Sequence, residues 1–161
     1  SKKPFITGWI GHIMYAEQMA RIFPKAIFIN LERDAQDVAV SLLRARQKVN
    51  NSSTSWFSAR PAECEDISGL TPHQQVVKQT LALQKRAAVF VDKNAERVFP
   101  IEYSELCEDP GAVILRLQKY CADRQMALSL RSQSSPIPSF HKAPVCDDDY
   151  NLIAQELQDA K

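Results

Sequence analysis

The stretch Lys25 to Gln47, KAIFINLERDAQDVAVSLLRARQ, constrains the fold more than any other part of the chain. Ala26-Ile27-Phe28-Ile29-Asn30-Leu31 is a short, nearly continuous apolar run, the pattern expected of a strand covered on both faces. Glu32-Arg33-Asp34 then places charge at its carboxyl end, and a helix follows at once. Asp34 is suited to cap that helix. Asp37 in its first turn complements the positive end of the helix dipole. Val38, Ala39, Leu42, Leu43 and Ala45 supply an apolar face. In open α/β sheets, ligands bind outside the carboxyl ends of strands, and helix N-termini attract phosphate. Arg33 therefore has two readings at this stage: a ligand for an anion, or a surface ion-pair partner of Asp34 or Asp37.

Other segments extend the alternation. Residues 9–23 read as a helix, with Trp9, Ile13, Ala16, Ala20 and Phe23 near one face and Pro24 closing it. His12 within it reads as an ordinary, partly buried histidine. A polar run, residues 50–55, follows the central helix and gives way to Trp56, Phe57 and Pro61, which suggest that the chain packs down again. Thr71-Pro72 opens a helix reaching about Asn94, on which Lys85 and Arg86 are expected in solvent. Residues 97–103, RVFPIEY, read as a strand made short or irregular by Pro100. Asp109-Pro110 introduces a helix through Ala122. Residues 131–146 are rich in serine and proline and are expected to be irregular. Residues 147–161 form an expected terminal helix opened by three aspartates, which suit a helix cap better than a metal site. Such an alternation is that of an α/β fold with a parallel sheet flanked by helices, in a single domain spanning 1–161.

Composition narrows the function. With 161 residues, 45% hydrophobic and 24% charged, the chain suits one soluble domain with a real core. A net charge of +1 gives no support for nucleic-acid binding. Cys64, Cys107, Cys121 and Cys146 form no CxxC pair, and with three scattered histidines they argue against zinc. Reduced thiols are the simpler reading, a Cys107–Cys121 disulfide the alternative. No apolar run reaches membrane-spanning length and no signal peptide is evident, so a cytoplasmic location is expected. The first residue is Ser1 and ordered-looking sequence begins directly, which reads as a piece of a longer chain.

The segment FPKAIFINLERDAQDVAVS resembles the 3′-phosphate-binding segment of sulfotransferases, enzymes that use 3′-phosphoadenosine 5′-phosphosulfate (PAPS). Arg33 and Ser41 match the arginine and serine that hold the 3′-phosphate, and a guanidinium suits that role through fork-shaped, charge-assisted hydrogen bonds. RVFPIEYSEL with Asp109-Pro110 resembles the second signature of the family, and Tyr103 matches its tyrosine near the adenine. Lys2-Lys3-Pro4-Phe5 resembles a Lys-x-Pro element of carbohydrate-type, tyrosylprotein and bacterial members. On that match Lys2 approaches the transferring sulfuryl group.

The resemblance implies a P-loop-NTPase-like sulfotransferase fold, incomplete at its N-terminus. The implied function is transfer of a sulfuryl group from PAPS to an acceptor hydroxyl or amine, on a small molecule or a carbohydrate, with no metal. One departure matters. The family opens with a glycine-rich loop that cradles the 5′-phosphosulfate through backbone amides. Gly8, Gly11, Gly69 and Gly111 do not form one, and no catalytic base is assignable. The alternative is therefore a non-catalytic nucleotide-binding or interaction module. No oligomeric state is implied.

Overall fold

The computed structural model describes residues 5–126, 128 and 147–160. A 3₁₀ turn, Ile10–Tyr15, leads into helix α1, Ala16–Ile22. Strand β1, Phe28–Glu32, is followed by α2, Ala35–Asn50, and after a loop by α3, Pro72–Lys93. Strand β2, Val98–Glu102, runs straight into α4, Tyr103–Glu108, and then α5, Pro110–Ala122. Helix α6, Asp148–Asp159, is the last element.

Local chemistry sets these boundaries. The Asp34 carboxylate accepts from the Asp37 amide at 3.1 Å, starting α2, and Asn51 ends that helix in the left-handed conformation, φ 53°. Thr71 and Gln74 form a reciprocal capping box with Pro72 at the first helical position. Asp109 and Asp147 cap α5 and α6 through the amides of Ala112 and Tyr150, each at 2.9 Å.

The two strands pair in parallel, from Phe28 opposite Val98 to Glu32 opposite Glu102, with α2 and α3 forming the crossover. One sheet face carries Phe28 and Val98, packed against Ala16, Ala20 and Phe90, with Phe28 and Phe90 edge-to-face at 4.9 Å. On the opposite face Phe99 and Ile101 of β2 pack on Val113, Leu117 and Tyr120 of α5. A third core lies outside the sheet, where Ile153 of α6 enters between Val40 and Leu43 of α2 and Val76 and Val77 of α3. Pro100 sits in β2 without breaking it because β1 occupies only one edge of that strand.

Three sequence expectations need correction. β1 is not covered on both faces: Ile29 is 50% and Leu31 49% exposed, because α5 packs over β2 and leaves these two side chains half open. Trp9 and Phe23 are likewise exposed, whereas Ala16 and Ala20 of the same expected face are buried; the first turns are 3₁₀, which shifts the facing residues. Arg86 is not simply solvated, since its Nη2 reaches Glu63 Oε2 at 2.8 Å.

Candidate functional site

The strand register brings two of the sequence-derived candidates, Arg33 and Tyr103, together. Glu32 and Glu102 are the last paired residues, so Arg33 and Tyr103 emerge side by side beyond the carboxyl ends of the strands. The Arg33 guanidinium carbon lies 4.5 Å from the centre of the Tyr103 ring, a cation–π arrangement. Asp37, one turn into α2, places Oδ2 3.8 Å from Arg33 Nε, within ion-pair reach and too long for a hydrogen bond. The Nε is buried and has no hydrogen-bond partner among the described residues. The Arg33 side chain as a whole stays 31% exposed, so the guanidinium is anchored at its root and open at its tip.

Both readings of Arg33 thus meet in one geometry. Asp37 is its carboxylate neighbour, whereas Asp34 is engaged in capping. Ser41 lies on α2 four residues beyond Asp37, on the same side of the helix by periodicity. Ser41 is exposed and makes no hydrogen bond among the described residues. No contact joins it to Arg33. Lys2 lies outside the described residues, as does the serine- and proline-rich segment 131–146.

Sequence reasoning missed Gln84. Its amide, on α3, donates to the Arg33 carbonyl oxygen at 3.0 Å. The separation of 51 residues carried no local signal, because only the packing of α3 along α2 creates the contact.

A second polar cluster pins the loop after α2. Arg46 is fully buried, with Nη1 donating to Gln75 Oε1 at 2.9 Å and Nη2 to Gln79 Oε1 at 3.0 Å. The Gln79 amide in turn donates to the Phe57 and Ala59 carbonyls, both at 2.9 Å. Trp56 sits between two guanidinium groups, Arg46 and Arg60, each 5.0 Å from the ring. Burial lowers the Arg46 pKa and raises that of the neighbouring Cys64 thiol, although Lys78, Arg60 and Arg46 pull the thiol the other way. The loop after α2 is therefore tied to α3 through Gln79, which also accepts from Arg46.

The glycines do not build a phosphate loop. A side chain at Gly11 would collide with the ring of Trp9, Gly69 serves a turn at φ 81°, and Gly111 lies in the first turn of α5. Gly8 precedes the 3₁₀ turn, with no strand before it among the described residues. Among the described residues no group of three or more His, Cys, Asp or Glu is placed to hold a metal ion. A shallow groove between α3 and α6, lined by Leu70, Val77 and Leu81 with Lys78 and Glu156, shares no residue with the Arg33 cluster.

Parallel strands with helices on both sheet faces, and candidate site residues at the carboxyl ends, define an α/β protein. More specifically, the chain belongs to the sulfotransferase family: the family model described as "Sulfotransferase family" matches residues 3–123. Membership carries the P-loop-like fold and points to a transferase acting on sulfuryl groups. No curated protein and no solved structure matches the chain at a significant level.

Proposed function

We propose that this chain supplies the 3′-phosphate half of a PAPS site and that the protein transfers the sulfuryl group of PAPS to an acceptor hydroxyl or amine. The carrying observation is the anchored, outward-open Arg33 guanidinium at the strand ends, beside the start of α2. Its orphaned buried Nε and exposed tip suit an anion, since charge-assisted hydrogen bonds to phosphate satisfy donors that the fold leaves over. The Ser41 hydroxyl adds a second contact from α2. Tyr103 has one ring face against Arg33, so the adenine is assigned to its remaining face and edge. Lys2 is assigned to the bridging oxygen, where positive charge favours departure of the leaving group.

PAPS supplies the activated sulfuryl group. The residues of this chain bind and orient its nucleotide end, and positioning of that kind lowers a barrier by removing the entropy of encounter. The described glycines offer no cradle for the 5′-phosphosulfate half. Residues 1–161 are read as a single sulfotransferase-like domain, because α6, beyond the matched 3–123, shares a core with α2 and α3. Free thiols at Cys64, Cys107 and Cys121 suit a reducing compartment such as the cytoplasm.

The test follows release of adenosine 3′,5′-bisphosphate from PAPS in the longest natural form of the protein, offered phenols, sugars and amines as acceptors. Acceptor-dependent release is expected, with the donor KM raised about tenfold or more in Arg33→Ala. Binding of the bisphosphate without any transfer would favour the non-catalytic module, which the missing cradle also suits. Absence of both binding and transfer would overturn the PAPS-site reading and leave the interaction module.

A further inference from the structure

We infer that Gln84 is a positioning residue for Arg33, locking the strand-to-helix corner from which the guanidinium projects. The inference rests on the reading of Arg33 as the phosphate ligand. Its structural ground is separate. Arg33 follows the last residue of β1 and precedes the Asp34 cap, so its carbonyl belongs to neither the strand ladder nor the α2 hydrogen-bond series. Backbone acceptors left over at such corners are satisfied by water or by a side chain. Here the side chain is Gln84 of α3, with its amide nitrogen 3.0 Å from the Arg33 oxygen.

Three holds then act on one residue. Tyr103 supports the guanidinium plane, Asp37 faces its Nε, and Gln84 fixes the backbone that carries both relationships. The first two set the side chain relative to β2 and α2. Only the third ties it to α3, which packs along α2 through Val76 and Val77 against Val40 and Leu43. Without the Gln84 bond, the corner can rotate about the Arg33 and Asp34 dihedrals. The guanidinium then loses its fixed aim, although every hydrophobic contact survives. Anion recognition by a fork of donors depends on such preorganisation more than on the presence of the charge.

Two readouts on the same variants test this. In ligand-free protein labelled with ¹⁵N-arginine, hydrogen exchange of the buried Arg33 Nε–H reports how firmly the corner is held. Gln84→Met keeps side-chain length and removes the donor. It should speed that exchange about fivefold, the weight of one ordinary hydrogen bond, and Gln84→Lys should restore it by supplying a new donor. Calorimetry then compares adenosine 3′,5′-bisphosphate with 5′-AMP. The preference for the bisphosphate should fall several-fold in Gln84→Met while 5′-AMP binding and the thermal midpoint stay near the parent values. Gln84 is exposed, so the variants are expected to fold. Unchanged Nε–H exchange in Gln84→Met overturns the inference whatever the nucleotides do. Faster exchange in a protein whose parent shows no preference for the bisphosphate upholds Gln84 as the corner lock and removes the phosphate reading instead.

Discussion

Replacing Arg46 should be among the most destabilising single changes in the described part of the chain. The residue is fully buried, and among the described residues no carboxylate pairs with it. Its guanidinium is balanced by neutral acceptors, chiefly Gln75 Oε1 and Gln79 Oε1. Arg46→Ala removes the donors to both oxygens. A buried acceptor left unsatisfied costs about 1–3 kcal/mol, and the lost stack on Trp56 adds about 0.5–2 kcal/mol. Partial relaxation and water entry offset some of this, leaving a net loss of about 3–5 kcal/mol. That is a large share of the total stability of a domain, about 5–15 kcal/mol. Arg46→Met removes the same charge and donors but retains bulk and leaves a smaller cavity, so its loss should be smaller, about 1–3 kcal/mol. Urea unfolding followed by tryptophan fluorescence measures both, with Trp56 lying over the site. A loss below about 1 kcal/mol for Arg46→Ala would refute the buried network. Equal losses for Ala and Met would refute the packing contribution of the Arg46 stem.

Two further outcomes follow from the same geometry. The Asp147 pKa lies below its ordinary value of 3.8, chiefly because its carboxylate accepts from the Tyr150 amide, with Arg44 adding a further pull. The native state therefore binds this proton less readily than the unfolded chain, so the contribution is complete above the ordinary value and is lost as pH falls through the lower native one. The protection of α6 amides relative to their intrinsic exchange rates should fall in acid below about pH 4, and Asp147→Ala should show the lower protection already at neutral pH; equal, pH-independent protection in both proteins would contradict the cap. The fully buried Cys64 and the nearly buried Cys121 have thiol pKa values raised by burial, whereas Cys107 is half-buried. Iodoacetamide should label Cys107 in the native protein and reach Cys64 and Cys121 only on unfolding, as mass mapping of the modified peptides will show.

Much of the site was readable because it is local. Arg33, Asp34 and Asp37 lie within one strand-to-helix corner, where capping and dipole rules act over a few residues. Tyr103 was marked only by the resemblance of its segment to a family signature, and the register places it against Arg33. What escaped depends on packing between distant segments. Gln84 has no signature of its own, and the half-open side chains of Ile29 and Leu31 follow from where α5 comes to rest. Arg46 is an intermediate case. It follows Ala39 and Leu43 at helical spacing on the buried stripe of α2, so its position marked it as buried. Its acceptors Gln75 and Gln79, one turn apart on the core side of α3, were the second half of that signal. Arginine at a core position reads as an error until its partners are known.

The most direct test of the central claim is a calorimetric titration of adenosine 3′,5′-bisphosphate and of 5′-AMP into the parent protein and Arg33→Ala. The two ligands differ only by the 3′-phosphate. The expected result is a preference for the bisphosphate in the parent that falls tenfold to a hundredfold in Arg33→Ala, about 1.5–3 kcal/mol for one charge-assisted contact, with 5′-AMP affinity little changed. Equal affinity for the two nucleotides in the parent, or a preference that survives in Arg33→Ala, would contradict the assignment of Arg33 to the 3′-phosphate.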